Sequence, residues 1–513
     1  MERMRKFLKF LSQRIVIVTF LIFLQIMWFV GMFLKVTSYS QYITAAFKIL
    51  SILVVIYIMN RSDNPSVKLG WIVVILLFPL FGGLLYLTIG GKQPISYLRR
   101  KLEPMIEESA RHLKADPELE QELKETDGST ASQIYYLEHQ SGFPAYKDSK
   151  VDYYPSGEDC FKVMAEELRK AKEYIYLEYF IIEEGIMWNT ILDILEEKVK
   201  EGVDVRVMYD DVCCIFNLPS QYADFLRKKV IKCFVFNRYI PIFSTVFNNR
   251  DHRKILVIDG DVAFTGGINF ADEYINEKMR FGHWKDTGFM LRGEAVAGFT
   301  AMFLEMWNVN DEHIEDCGEY IQASKKYSVS TDGFVIPFGD TPLDEVYIGK
   351  RAYINNLNNA SEYTYIMTPY LVIDDEMYEC MKYAAQRGVD VKIIMPHIPD
   401  KKYAFYLART YYKELLKAGI EIYEYTPGFV HAKMSISDGK KAIVGTVNHD
   451  YRSLYLHYEC AAYMLNVPAV MDIERDFKDT LELSQKITLE DVKHFNIFTK
   501  LLGHIIRLVA PLL

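Results

Sequence analysis

The chain has 513 residues and a formal net charge of −9, with 50% hydrophobic and 25% charged residues. This length exceeds what one hydrophobic core usually supports, so we expect two domains or one duplicated domain, together with a membrane part. The acidic balance argues against a nucleic-acid partner, because binding a polyanion normally requires a basic face.

Apolar runs dominate the N-terminal region, residues 1–91. Residues 15–34 include no charged residue, and a run of this length can cross a bilayer core of about 30 Å, so we predict a transmembrane helix there. A second apolar run covers residues 43–59, and a third covers residues 69–90. Because the third run contains Pro79, it is either a further span or a segment that turns back within the membrane.

The charges around these runs bear on membrane orientation. Basic residues precede the first run and predict a cytoplasmic N-terminus; they are Arg3, Arg5, Lys6, Lys9 and Arg14. Three full spans would place the rest of the chain outside, whereas two spans would return it to the cytoplasm. The basic group at residues 99–101 and the seven cysteines, which form no repeated CxxC pairs, favour the cytoplasmic face.

An internal repeat follows the membrane region and an acidic, helical linker at residues 92–130. Beyond the linker, apolar strands alternate with amphipathic helices, which predicts an α/β fold with a mixed sheet flanked by helices. The segment that begins at Ala171 is matched by one that begins at Ala360, and each predicts a strand, a helix and a strand. The repeat predicts a duplicated domain, with copies at residues 131–325 and 326–495.

Each copy also contains the pattern H-x-K-x-x-x-x-D, in a chain that has 11 histidines. The matching residues are His252, Lys254 and Asp259 in the first copy and His431, Lys433 and Asp438 in the second. One such pattern alone is more often structural than catalytic. Its recurrence at matching places in two repeats indicates a shared chemical role.

The spacing of the motif has a physical reading. Residues two apart in a strand project from the same face, so each histidine lies beside its lysine. An imidazole can attack phosphorus while an ammonium group holds a phosphate oxygen. Each aspartate precedes a glycine, which predicts a strand end or turn from which it could orient the basic groups. A metal site is the alternative, but a charged lysine has no lone pair to offer, so we predict neither metal nor cofactor.

The duplicated motif resembles that of the phospholipase D superfamily. Residues 264–274 are similar to the family's glycine-pair and asparagine segment, and residues 445–453 resemble the segment typical of bacterial cardiolipin synthases. The likeness extends to the apolar N-terminal segments and the C-terminal tail, and the additional apolar run at residues 15–34 departs from it. It implies two tandem phospholipase D-like domains related by a pseudo-twofold axis, with one active site between them, preceded by transmembrane helices.

The resemblance also implies roles for individual residues. The positions that match the family's phosphate-binding amides are Asn269 and Asn448. His252 would be the nucleophile and His431 the general acid and base, although the sequence itself is symmetric on this point. A carboxylate bonded to the second ring nitrogen makes a histidine a better nucleophile. Each half offers one such carboxylate, Asp286 in the first and Glu459 in the second. We interpret the other histidines near the motifs as polar residues with a structural role; they are His283, His449 and His457.

By this resemblance, the expected activity is cardiolipin synthesis at the bacterial cell membrane by a multi-pass protein. The expected partners are phosphatidylglycerol, cardiolipin and the lipid bilayer, with an amphipathic tail at residues 496–513 either on the membrane surface or packed as a buried helix. The alternatives are a phospholipid hydrolase, a synthase that uses another alcohol, and an inactive membrane scaffold. A nuclease is least favoured, and self-association stays open.

Overall fold

The computed structural model describes Phe23, Met27 and residues 40–87, 95–126, 128–237, 249–310, 314–324, 329–344 and 346–512. The span predicted at residues 15–34 therefore lies outside the described residues, except for Phe23 and Met27. The chain divides into two compact units. The larger unit covers the described residues between 98 and 503 and contains both predicted motifs.

The smaller unit contains apolar helices near the N-terminus. They are α1 (Ser40–Met59), α2 (Pro65–Leu77) and α3 (Pro79–Leu85). Asn64 caps α2 by accepting the N–H of Ser66, and α2 ends at Phe78 because the next residue is a proline. The third apolar run of the sequence is thus divided into two helices. None of the described helices combines the length and the apolar character needed to span a membrane.

The larger unit begins with three helices and continues into a first sheet with its covering helices. The helices are α4 (Ile95–His112), α5 (Pro117–Thr126) and α6 (Gly128–Ser141). The elements that follow are β1 (Ser149–Tyr154), α7 (Gly157–Lys170), β2 (Tyr174–Tyr179), α8 (Ile186–Lys200), β3 (Asp204–Asp210), α9 (Asp211–Cys214), α10 (Tyr222–Lys228), β4 (Lys232–Phe236), β5 (Arg250–Asp251), β6 (Lys254–Ile258), β7 (Val262–Gly266), β8 (His283–Lys285), β9 (Gly288–Gly293), α11 (Val296–Asn310) and α12 (Cys317–Ser324).

The second half is built in the same way. Its elements are β10 (Phe334–Asp340), α13 (Ile348–Asn359), β11 (Tyr363–Met367), β12 (Leu371–Val372), α14 (Asp375–Gln386), β13 (Asp390–Pro396), α15 (Lys402–Lys417), β14 (Glu421–Tyr425), β15 (Gly428–Val430), β16 (Met434–Ser437), β17 (Lys441–Gly445), β18 (His449–Asp450), α16 (Tyr451–Tyr455), β19 (His457–Leu465), α17 (Ala469–Glu482) and β20 (Ser484–Ile487). The chain closes with α18 (Leu489–His494) and α19 (Ile497–Val509).

The two sheets have the same strand order. The first runs β1-β9-β7-β6-β2-β3-β4, and the second runs β10-β19-β17-β16-β11-β13-β14 and then adds β20. Strands β2, β3 and β4 are parallel to one another in the first sheet, and β11, β13 and β14 are parallel in the second. The other neighbouring strands along each order are antiparallel. The duplication read from the sequence is therefore present as two mixed sheets of matching topology.

Local sequence explains these elements. The strand β2 reads YIYLEY and is buried along its whole length, as expected for a strand rich in aromatic and β-branched residues inside a covered sheet. Helix α7 begins after Ser156, whose hydroxyl accepts the N–H of Asp159. The first core lies between this sheet and its helices and includes Trp188, Leu195 and Val207.

Short strands join the two halves. The strand β5, just before His252, pairs in parallel with the start of β19 in the second half. The strand β15, just before His431, pairs in parallel with β8 in the first half. Each H-x-K motif is therefore anchored on a strand of the opposite half, and both anchors lead into one region of the larger unit.

Candidate active site

The two histidines and two lysines of the motifs are all buried at these anchored positions. Lys254 opens β6, and Lys433 lies directly before β16. The Lys254 ammonium donates to the carbonyl oxygen of His252 at 2.6 Å, and Lys433 donates to the carbonyl oxygen of His431 in the same way. Each lysine is thus folded back beside its own histidine, as the two-residue spacing predicts.

Each histidine is held by a carboxylate of the other half. His252 Nδ1 lies 2.9 Å from Oε2 of Glu459, and His431 Nδ1 lies 2.7 Å from Oδ2 of Asp286. The backbone repeats the crossing, because the N–H of His252 donates to the carbonyl of Tyr458 and the N–H of His431 to that of Lys285. A carboxylate on Nδ1 fixes the ring orientation and leaves the Nε2 lone pair exposed for chemistry.

Burial sets the charge state of the imidazoles and ammonium groups. Burial, reinforced by Lys254, holds the pKa of His252 well below its usual value. Burial and then Lys433 lower the pKa of His431 to about 4. Burial also lowers the pKa of Lys254 to about 8 and that of Lys433 to about 7. Near neutral pH both imidazoles are therefore uncharged and can act as nucleophiles or bases.

The two carboxylates have different electrostatic surroundings. For Asp286, burial opposes ionisation, but His431 and Lys433 outweigh it and lower the pKa of the carboxyl. Gly267 permits this position, since a Cβ there would lie 2.0 Å from Oδ1 of Asp286. For Glu459, burial dominates and raises the pKa well above its usual value, although Lys254 opposes the shift.

The two asparagines are both buried but are bound differently. The amide of Asn269 donates to the hydroxyl of Tyr274 at 2.6 Å and its oxygen accepts the N–H of Ile181 at 3.1 Å. The side-chain oxygen of Asn448 is buried without a hydrogen-bond partner among the described residues. An unsatisfied buried polar atom costs about 1–3 kcal/mol, and because this amide oxygen can only accept a hydrogen bond, it suits a hydroxyl or ammonium donor, while a phosphate oxygen would need the amide N–H.

The structure does not bring Asp259 and Asp438 to the histidines, which corrects the idea that they orient the basic groups. Each lies at the far end of its strand, about 16 Å along β6 from Lys254 in the case of Asp259. The carboxylate of Asp259 accepts three backbone N–H groups at residues 172–174. That of Asp438 accepts three at residues 361–363. Both aspartates therefore hold a turn against the start of a neighbouring strand.

Aromatic side chains that the motifs did not indicate enclose the histidines. The ring of Phe180 lies 4.6 Å from that of His252 and under Lys254. Tyr274 and Trp284 lie 5.4 and 5.3 Å from the ring of His431. Only their closeness in sequence to the asparagine and aspartate could have indicated the last two. These rings exclude water from one side of each imidazole.

His457 also lies at the site, although the sequence suggested a purely structural role. Its ring is 5.5 Å from that of His252, and its ligand atom lies within 4.8 Å of those offered by His252 and Glu459. Three such groups could bind a metal ion, but Lys254 and Arg452 beside them would repel a cation. A second cluster, Glu108, His112 and Asp316, is partly exposed and lies apart from the motifs in sequence.

The chain is similar to known proteins over most of its length. A family model described as "Cardiolipin synthase, PLD-like domain" matches residues 164–307 and 353–481, and one described as "Phospholipase_D-nuclease N-terminal" matches residues 49–91. An uncharacterized protein of Streptococcus mutans is 49% identical over 90% of this chain and 99% of its own. A cardiolipin synthase of Halalkalibacterium halodurans is 31% identical over 94% of this chain and 97% of its own.

Two further relatives extend the comparison. A cardiolipin synthase 2 of Bacillus cereus is 33% identical over 90% of this chain and 89% of its own. The crystal structure of phosphatidylserine synthase from Haemophilus influenzae covers 71% of this chain and 93% of its own, with a TM-score of 0.55 and 14% identity. At that identity, the likeness supports the duplicated α/β fold alone.

Proposed function

The chain belongs to the cardiolipin synthase family of phosphatidyltransferases, and we propose that it joins two phosphatidylglycerol molecules into cardiolipin with release of glycerol. The observation that carries the proposal is the crossed pair of buried histidines. His252 and His431 come from different halves, each with Nδ1 on a carboxylate and a lysine at its side. Two such groups can divide nucleophile and acid–base work on one phosphodiester.

In the first step, Nε2 of His252 attacks phosphorus of the first phosphatidylglycerol and the bond from phosphorus to the glycerol oxygen breaks. His431 gives its proton to that oxygen, so glycerol leaves as the neutral alcohol. The negative phosphate raises the pKa of His431 on binding and loads it with the required proton. Asp286 stabilises the imidazolium that results.

In the second step, the headgroup hydroxyl of another phosphatidylglycerol attacks the phosphohistidine. His431, now neutral, takes the proton of that hydroxyl. The bond from phosphorus to Nε2 breaks, which frees His252 and yields cardiolipin. Protons balance over the cycle, since the one that His431 gives in the first step is regained in the second.

The charge that develops on the phosphoryl oxygens needs positive partners. Lys254 and Lys433 supply two positive charges, and Asn269 and Asn448 add amide groups beside them. Because these groups are buried and held in place before substrate arrives, they stabilise the transition state without reorganising. This work requires no metal ion, and activity is expected to persist in the presence of a chelator.

Membrane association is part of the same proposal, because both substrates are lipids. Helix α1 exposes a row of large apolar side chains, and so does α19. They are Ile49, Ile52, Leu53 and Ile56 on α1, and Phe498, Leu501, Ile505 and Leu508 on α19. Apolar faces of this kind suit the lipid boundary. The catalytic domains would then face the cytoplasm, as the sequence predicts.

The proposal is tested with purified protein in phosphatidylglycerol vesicles that are sedimented before assay. We expect the protein to sediment with the vesicles and to form cardiolipin and glycerol in equal amounts. Replacing either histidine, His252→Ala or His431→Ala, should reduce the rate by roughly 100-fold or more. The exposed His494→Ala serves as the matched control. Phosphatidic acid without cardiolipin would identify a hydrolase, and no turnover at all would favour a scaffold.

The nucleophile is identified by trapping the covalent adduct. Phosphatidyl-p-nitrophenol has a leaving group that departs without a proton, so His431→Ala should still form the phosphohistidine and accumulate it after a denaturing quench. His252→Ala should form none. The reverse pattern would exchange the two roles, and an acid-stable adduct would contradict a phosphohistidine.

A further inference from the structure

The buried histidine at position 457 has a bonding pattern that the proposed mechanism does not use. Its Nε2 accepts a hydrogen bond from Nε of Arg452 at 3.2 Å. An acceptor nitrogen carries no proton, so in the neutral ring the proton is on Nδ1. Burial, together with Arg452, keeps the pKa of His457 well below its usual value, which agrees with a neutral ring.

The proton on Nδ1 of His457 faces the carboxylate of Glu459. The distance from Nδ1 to Oε1 of Glu459 is 3.6 Å, slightly beyond a hydrogen bond. Neither atom has a hydrogen-bond partner among the described residues, although both are fully buried. Unpartnered buried polar atoms are costly, so a small closure that joins the two satisfies both at once.

The other half shows what this bond would accomplish. Asp286 uses Oδ2 for His431, and its remaining oxygen accepts the backbone N–H of Thr287 at 2.8 Å. Glu459 uses Oε2 for His252 and for the hydroxyl of Thr446, but no backbone donor reaches its Oε1 among the described residues. In place of a main-chain donor, Glu459 has two side chains nearby, the hydroxyl of Ser453 and Nδ1 of His457, and the distance from Nδ1 to Oε1 is 3.6 Å.

The two halves also differ at the position two residues before the carboxylate. The second half has His457 there, and the first has Trp284, whose ring packs 5.3 Å from His431. His457 and Glu459 lie on one face of β19, since residues two apart in a strand point the same way, whereas Asp286 directly follows the end of β8. The first half thus places an indole ring at this point and the second an imidazole, and the indole Nε1–H, like Nδ1 of His457, is buried without a hydrogen-bond partner among the described residues.

We propose that His457 is a positioning residue, which donates Nδ1–H to Oε1 of Glu459 and thereby turns Oε2 toward Nδ1 of His252. Arg452 fixes the tautomer that makes this donation. The inference rests on the proposed phosphatidyl transfer through His252, and it makes the environments of His252 and His431 chemically unequal. A group that orients a histidine through its carboxylate typically changes activity by about 10- to 100-fold when it is removed.

Two substitutions separate positioning from packing. His457→Leu fills a similar volume without a donor, and His457→Asn keeps an N–H near the place of Nδ1. We expect His457→Leu to slow adduct formation from phosphatidyl-p-nitrophenol by roughly 10- to 100-fold, with the KM changed by less than about threefold. His457→Asn should restore the rate to within about threefold of the wild-type protein. A leucine variant as fast as wild type, or a folded asparagine variant as slow as leucine, would overturn the inference.

A measurement on the unmodified protein covers the case in which a variant fails to fold. Nitrogen-15 shifts of labelled histidine, assigned through His457→Asn, should show the Nδ1–H tautomer of His457 between about pH 6 and 8. The Nε2–H tautomer would contradict the inference. If the wild-type protein forms no adduct at all, the proposed function fails first, so the two failures are distinguishable.

Discussion

The lysines of the two motifs ionise near physiological pH. Burial lowers the pKa of Lys254 to about 8 and that of Lys433 to about 7, so each loses its positive charge as the pH rises through that value. We expect kcat/KM, which reports the free enzyme, to fall on the alkaline side from about pH 7 to 9. The limb in kcat should lie at higher pH, because a bound anionic phosphate favours the charged ammonium.

The substitution Lys433→Arg checks the origin of this alkaline limb. A guanidinium stays charged throughout that range, so the limb should move toward the pKa of Lys254, even if the rate falls because the two groups hold phosphate differently. The surface substitution Lys478→Arg is the control and should leave the profile in place. A flat wild-type profile up to about pH 9.5 would contradict the assignment of the two lysines.

At the same scale, each lysine lies beside its histidine as the two-residue spacing predicted, although both histidines precede the strand and the bond is to the main-chain carbonyl oxygen. The aspartates of the motif were expected there too and lie elsewhere. The spacing could not pair His252 with Glu459, since 207 residues separate them and no local pattern spans that distance. His457 was interpreted as structural for a related reason, because its relevance depends on the crossed partner. The catalytic roles themselves stay predictions.

At the scale of elements, the hairpins after β6 and β16 depend on an aspartate in the left-handed region. Asp259 and Asp438 have φ of 52° and 53°, and each is followed by a glycine with positive φ. Although burial opposes its ionisation, the backbone N–H groups that it accepts lower the pKa of Asp438. The motif thus combines a histidine and a lysine with a turn that ends the strand after the lysine, which explains why both copies have the same spacing.

Replacing the turn aspartate should therefore reduce stability and spare the chemistry. We expect Asp438→Ala to lower the free energy of unfolding by about 1–3 kcal/mol, because it removes charge-assisted hydrogen bonds. Denaturant unfolding measures this change. The exposed Asp332→Ala, which also precedes a glycine, should change stability by less than about 0.5 kcal/mol. A folded Asp438→Ala protein with more than about a 100-fold loss of kcat would return the residue to the catalytic group.

At the scale of the whole molecule, a buried ion pair connects the two sheets. Asp476 on α17 accepts Nζ of Lys285 at 2.6 Å and the hydroxyl of Tyr153 at 2.7 Å. Both donors belong to the first half, Tyr153 on β1 of the first sheet and Lys285 on β8. Lys285 also supplies the carbonyl that accepts the N–H of His431. The same residue therefore links the packing of the halves to the position of a motif histidine.

Breaking this pair should destabilise both halves together. Asp476→Asn leaves a buried ammonium without its counter-charge, and we expect a loss of about 3–5 kcal/mol. In a background with Trp28→Phe and Trp71→Phe, the remaining tryptophans all belong to the first half; they are Trp188, Trp284 and Trp307. The unfolding midpoint measured by their fluorescence should fall by the same amount as the midpoint measured by circular dichroism.

An exposed pair on the same helix provides the control for that experiment. Arg475→Met removes the partner of Asp472 from a solvent-facing ion pair, and such pairs contribute about 1 kcal/mol or less. If Asp476→Asn shifted the circular dichroism transition and left the fluorescence midpoint in place, the halves would unfold independently.

The fold class could be predicted from the sequence. Alternating strands and helices predicted the α/β layers, and the repeat predicted that they would occur twice, as the two sheets do. The boundaries between domains stay a prediction. The joining strands β5 and β15 were not predictable, since two or three residues carry no period.

The exchange of carboxylates between the halves has a consequence for the origin of the molecule. A chain that carried one repeat would own a histidine and an acid that cannot reach each other, and both would be satisfied only when a second copy arrived in twofold register. Such a chain would need a second copy of itself to complete either pair. Having both repeats in one chain makes that partnership permanent and lets the two copies differ, as the tryptophan and the histidine at equivalent places do.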